Sequence, residues 1–295
     1  VLLDHLTRGR VMLGCGPGAL PSDAYMMGID PLKQRHMMDE ALEAIVALLA
    51  DDDPVTMRTE WFTLNSARLQ LRPFSPSGIE MAVAAQISPS GPRAAGRFGL
   101  GLLSLGATTA GGFDVLASHW QVMEERASEF GTTVDRQRWR LVGPMHIAPT
   151  EEQARAEVAY GLADWVDYFQ RVAALPIAPA TAEGADLVDA LNETGLAVIG
   201  TPEMAVAQLQ RLVDQSGGFG AYLFMAHEWA DRLATLRSYE LVAQEVMPLF
   251  QDASRTLVRS RDWAGANRET FIGSAVHAVM QSVQEHYAER EARRG

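Results

Sequence analysis

The sequence has a single cysteine, Cys15, no internal repeat, no long apolar run and too few basic side chains to balance its acids. A lone cysteine excludes an internal disulfide framework and a clustered-cysteine zinc site, and it suits a reducing compartment. A membrane span would need about 18 consecutive apolar residues. The N-terminus also lacks the basic start and small-residue cleavage site of a signal peptide, so the expected location is cytoplasmic. With 25 Lys and Arg against 37 Asp and Glu, the formal charge of −12 offers no basic field to hold nucleic acid or an anionic membrane. What is present is the balance of a globular protein. The 295 residues are 47% hydrophobic and 21% charged, which favours one large α/β domain over two small ones.

From Val11 onward, short apolar runs alternate with stretches of helical period, the pattern of parallel strands joined by crossover helices. Five strands are expected, at Val11 to Leu13, Ile79 to Ala85, Leu100 to Leu105, Trp139 to Ile147 and Phe219 to Ala226. Met38, Leu42, Ile45 and Leu49 give Arg35 to Ala50 the apolar stripe of a helix packed on a sheet. Val55 to Arg72 reads as a hairpin, because Leu69 and Leu71 alternate with Arg68, Gln70 and Arg72. Further helices are expected from Ser88–Gly91 to Phe98, from about Phe113 to Phe130 with Gly131 as a left-handed cap, from Thr150, and from Thr201-Pro202.

About fifty residues separate Thr150 from Thr201, more than a simple return needs, and the proline- and alanine-rich Pro176 to Gly184 suggests a lid or insertion at about 160–198. A charged helical extension, 251–295, follows. Val1 to Arg10 look like the last turns of a helix without an initiator methionine, so the chain is expected to start within an element.

Four strings, in order, resemble the bacterial-luciferase-like flavin monooxygenases: LDHLTRGRVMLGCGPG (Leu3 to Gly18), ISPSGPRAAGRFGLGLLS (Ile87 to Ser104), IGTPEM (Ile199 to Met204) and EVMPLF (Glu245 to Phe250). DWVDYF (Asp164 to Phe169) and the tail beyond Pro248 are similar to the limonene monooxygenase-like branch. The resemblance implies a (β/α)8 TIM barrel over 1–250, with Val11 opening its fourth strand and about three βα units of roughly 30 residues each absent. It places the catalytic histidine, in a Glu-His-His-like motif after the second strand, in that absent part. The chain alone is therefore expected to turn over little, and no histidine here substitutes.

Gln86 to Gly91 follow the fifth barrel strand and open a helix at the working face of such a barrel. Ser88 and Ser90 offer hydroxyls, Gly91 permits close backbone approach, and a helix N-terminus presents unpaired N–H groups and partial positive charge. The plainer alternative is a serine N-cap; the resemblance implies a flavin phosphate here. Arg35, opening the helix after the fourth strand, either pairs with Asp39 one turn on or, as the resemblance implies, contacts the same phosphate.

A second family arginine is replaced by Pro17, which implies weaker phosphate binding. GCGPG (Gly14 to Gly18) lacks the spacing of a dinucleotide fingerprint; its glycines leave room for an isoalloxazine ring. The cysteine beside the reactive flavin carbon in luciferase aligns with Gly16, which leaves Cys15 as a small buried residue. Leu105 stands where luciferase has a tryptophan at the ring edge.

His146 and His227, near the ends of the seventh and eighth strands, either line a substrate pocket or are hydrogen-bonded structural histidines, and their spacing gives no metal pair. Trp165, Tyr168 and Phe169 either cover an apolar substrate or pack on the barrel. The acidic run Asp51 to Asp53 reads as a solvated turn and the methionines as core filling. The resemblance implies reduced FMN from a separate flavin reductase, O2 and a small apolar organic substrate, in a possible homodimer. Hydride transfer with F420, as in a sister branch, and flavin binding without catalysis are the alternatives.

Overall fold

The computed structural model describes residues 1–50, 53–105, 115–173, 175, 177–179, 183–251 and 255–293. Its strands are β1 (Met12–Cys15), β2 (Val55–Arg58), β3 (Thr63–Ala67), β4 (Glu80–Ala85), β5 (Gly101–Leu105), β6 (Trp139–Gly143), β7 (Met145–Ile147), β8 (Val198–Gly200) and β9 (Ala221–Phe224). Five of them form one parallel sheet in the order β1-β4-β5-β6-β9, an arc of the expected luciferase-like TIM barrel. Its middle strands read as continuous apolar runs because both faces are covered, and Met81, Ala82, Val83, Leu102 and Leu141 are all buried.

Two expectations are corrected. The seventh barrel strand is not continuous: Pro144 has no N–H to give a ladder, and the strand breaks there into β6 and β7. β7 leaves the main sheet and pairs in parallel with β8, a three-residue strand too short to stand out in the sequence. The hairpin exists, but its second strand is Thr63–Ala67, paired antiparallel with β2, and Leu69 and Leu71 lie after it. Both leucines are exposed, so their alternation reflects no buried face.

The helices of this first unit are α1 (Leu2–Thr7), α2 (Pro21–Met26), α3 (Gln34–Ala50), α4 (Ser90–Phe98), α5 (Val115–Phe130), α6 (Glu151–Val158), α7 (Leu162–Arg171), α8 (Ala185–Thr194), α9 (Pro202–Ser216) and α10 (Arg232–Leu241). Their ends follow local chemistry. Gly99, at φ 64, closes α4, and Gly131, at φ 68, follows α5. Thr150 accepts from the Gln153 N–H at the start of α6, and Asp231 accepts from the Ala234 N–H at the start of α10. Phe113, Asp51, Asp52 and part of the Pro176 to Gly184 stretch lie outside the described residues.

Two apolar cores result. In the first, α3, α4 and α5 pack on the sheet around Leu42, Val83, Leu102, Trp120 and Trp139. The indole of Trp139, fully buried, stacks on Trp120 with ring centres 5.4 Å apart and donates its N–H to the Ser104 hydroxyl at 3.0 Å. In the second, α6, α7 and α8 enclose Val158, Leu162, Val166, Leu191 and Ile199 with Trp229. Within 160–198, the described helices α7 and α8 are thus packed on this core.

The chain divides into compact units at Val1–Val242 and Ala243–Gly295, and the second holds α11 (Met247–Phe250), α12 (Arg255–Ala266) and α13 (Arg268–Ala292). Within it, Trp263 meets Phe271 at 5.2 Å across the short connection between α12 and α13. No helix among the described residues is long and apolar enough to cross a membrane.

Candidate functional site

Beyond the ends of β1, β4 and β5 lies a cavity of about 610 Å³, well inside the range of small-molecule sites. Gly16, Arg35, Gln86, Ser88, Ser90 and Leu105, six positions singled out from the sequence, all line it. β1 delivers Gly16, the first turn of α3 delivers Arg35, the turn after β4 delivers Gln86 to Ser90, and the last residue of β5 is Leu105. Parallel strands bring these distant segments together because each ends at the same edge.

The polar wall has its own logic. The alternative Arg35–Asp39 pair does not form, and Arg35 has no ion pair or hydrogen-bond partner among the described residues. Asp39 is instead held by its burial, which pushes its carboxyl up, against the opposing pull of Arg97, His36 and Arg126. Helix α4 opens at Pro89 with no side-chain cap, so the simple serine-cap reading is not what the structure contains. The Ser88 and Ser90 hydroxyls lie 2.6 Å apart, and Ser88 Oγ accepts weakly from the Ser90 N–H at 3.3 Å.

Gly91 is buried rather than lining the cavity. A side chain there would begin 2.7 Å from the Ala84 carbonyl oxygen and 2.8 Å from the Ala85 Cβ, so only glycine lets the helix start directly on the end of β4. A cation with no partner among the described residues, two hydroxyls and an uncapped helix start therefore line the same cavity, which suits an anion. Opposite in character are Leu20, Leu105, Ala173 and Leu175, which supply apolar surface. Ala173 and Leu175 come from the segment after α7; nothing in the sequence marked them, because small apolar residues in an irregular stretch carry no periodic signal.

His146, Trp165 and His227 are not among the residues lining this cavity. They meet around the buried Trp229: His227 stacks on it at 4.0 Å, Trp165 packs edge-on to it at 5.1 Å, and the buried His146 lies 6.2 Å from His227. His146 Nε2 is 2.9 Å from Glu157, which also accepts from Gln153 and Arg237. Burial alone would raise the Glu157 carboxyl, but these three hydrogen bonds outweigh it and hold the group below its usual range. Glu157 thereby ties α6 to β7 and α10. Glu157→Ala is expected to cost about 1–3 kcal/mol of stability by leaving buried His146 without its acceptor, which a urea titration measures.

Cys15 is half-buried and burial raises its thiol pKa, the opposite of an activated thiolate. Among the described residues no cluster of His, Cys, Asp and Glu could hold a metal. Burial lowers the pKa of His119 and of His227, both backbone-bonded, from the usual 6.5. The unfolded chain then binds protons before the folded one does, so their contribution to stability is complete above about pH 6.5 and is lost as the pH falls through the depressed values. A second loss, from Glu157, is expected below its ordinary 4.5. Thermal melts from pH 7.5 to 4 check this, with a falling midpoint from pH 6.5 downward as the expected result.

Residues 1–218 match the family described as luciferase-like monooxygenase. The chain is 46% identical over 290 residues to limonene 1,2-monooxygenase of Rhodococcus erythropolis, covering 98% of this chain and 72% of that protein. It is 37% identical over 265 residues to 4-hydroxyprotoasukamycin monooxygenase of Streptomyces nodosus subsp. asukaensis, covering 89% of this chain and 71% of that one. Among solved structures, the oxygenating constituent of 3,6-diketocamphane monooxygenase from Pseudomonas putida, a type II Baeyer-Villiger enzyme in complex with FMN, superposes with a TM-score of 0.63 at 26% identity over 83% of this chain and 72% of that one.

Proposed function

The chain belongs to the luciferase-like monooxygenase family, and on that premise we propose that it binds reduced FMN in the cavity of Arg35 and Ser88 and serves a monooxygenase acting on a small apolar substrate of the terpene or aldehyde kind. The observation that carries this is the mixed lining of the cavity, which combines Arg35, Ser88 and Ser90 at the uncapped start of α4 with the apolar Leu20, Leu105, Ala173 and Leu175. A flavin mononucleotide combines the same two characters, a phosphate at one end and a flat, largely apolar ring at the other. The names of the relatives support the chemistry: limonene is an apolar terpene, and the related type II enzyme holds FMN.

In this reading Arg35 supplies fixed positive charge to the phosphate, and Ser88, Ser90 and the first N–H groups of α4 donate to its oxygens. Gly16 lacks a side chain where the ring passes the backbone of β1, and Leu105, Ala173 and Leu175 exclude water from the reacting face. When bound and reduced, the flavin supplies the electrons that activate O2 for transfer of one oxygen atom. A separate flavin reductase as the source of reduced cofactor, a homodimer and a cytoplasmic setting complete the proposal.

The test has two arms. Titration of the chain with FMN and with F420, followed by flavin fluorescence and calorimetry, is expected to favour FMN; tighter binding of F420 would sink the cofactor assignment. This chain spans 72% of limonene 1,2-monooxygenase; completed to that relative's length and supplied with reduced FMN, O2 and limonene or a medium-chain aldehyde, the protein is expected to give a product heavier by one oxygen atom, whereas the chain alone is expected to turn over little. No oxygenated product from any substrate of this class, with FMN bound, would count against the reaction.

A further inference from the structure

His119 sits in the second turn of α5 with its ring enclosed, 1% exposed. Leu116, Trp120 and Met123 on the same helix pack into the first core, and Trp120 stacks on Trp139 of β6, so α5 is a rigid base for this imidazole. Its Nε2 lies 3.2 Å from the carbonyl oxygen of Ile87, the residue between Gln86 and Ser88 in the cavity wall. Nδ1 is buried and has no hydrogen-bond partner among the described residues. A carbonyl only accepts, so Nε2 carries the proton, and a second proton on the unpartnered Nδ1 would be a buried charge with nothing to bond it.

The turn has few other anchors. The Ile87 side chain is 69% exposed and gives no packing to hold the peptide. In a trans peptide the C=O and the following N–H point in opposite directions. A histidine that draws the Ile87 carbonyl toward α5 therefore turns the Ser88 N–H to the other side, away from α5. We infer that His119 is a positioning residue that fixes the 87–88 peptide so that the Ser88 N–H and hydroxyl face a phosphate monoester in the cavity. This rests on the flavin reading above and adds to it a backbone donor and the side chain that aims it.

The test compares FMN with riboflavin, which has the same ring and no phosphate, on the 295-residue chain, in the wild type, His119→Phe and His119→Gln. Wild type is expected to prefer FMN. In His119→Phe, which fills the buried space without a donor, the FMN Kd is expected to rise about tenfold while riboflavin binding stays the same. His119→Gln, which keeps an N–H donor, is expected to recover most of the preference.

An unchanged FMN-to-riboflavin ratio in His119→Phe overturns the inference and leaves the cofactor reading standing. A wild type that binds both flavins equally removes the cofactor reading and the inference with it. If His119→Phe does not fold, long-range ¹H–¹⁵N spectra of the wild type decide. A neutral Nε2–H tautomer whose resonance moves with FMN and not with riboflavin supports the role. The Nδ1–H tautomer, or a resonance indifferent to FMN, overturns it.

Discussion

Arg35→Ala is expected to weaken FMN binding roughly ten- to hundredfold while leaving riboflavin binding unchanged. The size follows from losing a hydrogen bond to a charged group, worth about 1.5–3 kcal/mol, with about 1.4 kcal/mol per tenfold in Kd. Arg35 is exposed at the cavity wall, so salt screens part of its attraction, and the effect should shrink as ionic strength rises. That no carboxylate among the described residues pairs with Arg35 is what makes the prediction large. Had Arg35 been paired with Asp39, removing it would have freed an acid beside the phosphate and mixed two effects; Asp39 instead interacts with Arg97, His36 and Arg126. Calorimetric titration of both flavins at two salt concentrations checks it, and equal losses for FMN and riboflavin would show that Arg35 does not contact the phosphate.

Trp139→Ala is expected to destabilise the first unit by about 3–5 kcal/mol, the usual cost of emptying a large aromatic site in a core. The ring is fully buried, stacks on Trp120 and donates to Ser104 on the neighbouring strand, so its removal leaves a cavity, an unstacked indole and a hydroxyl without its donor. The Arg136 guanidinium, 4.2 Å above Trp120, would lose the support of that stack. Trp139→Phe keeps much of the volume and is expected to cost less than half as much. Urea midpoints of the two variants measure the difference, and equal midpoints would mean that filling the site matters less than the indole N–H.

The strands near β4 and β5 were legible in the sequence because a parallel sheet covered on both faces requires short apolar runs, α3 because Met38, Leu42, Ile45 and Leu49 recur at helical spacing, and α4 and α5 because Ser88–Gly91 and Gly131 mark a helix start and a helix end. Leu69 and Leu71 misled because two apolar residues in alternation satisfy a strand's period whether or not a partner strand exists. β8 was missed because Val198–Gly200 is too short to show any period. His119, lodged in an apolar stripe, carries no sequence signal of its own, and only its distance to the Ile87 carbonyl distinguishes it.

Composition, alternation and four ordered motifs determined, without coordinates, that this chain is an α/β protein of luciferase-like type, and they singled out Arg35 and Ser88 as candidates for holding an anion. These are properties of local sequence: periodicity reports which face a segment buries, and a proline, serine and glycine at a helix start constrain the backbone within a few residues. Which charges pair, and which side chains share a cavity, depend on distances between segments far apart in the chain. Tertiary structure alone decided that Arg35 stands free of Asp39, that Ala173 and Leu175 reach the cavity, and that His146, Trp165 and His227 gather around Trp229 instead.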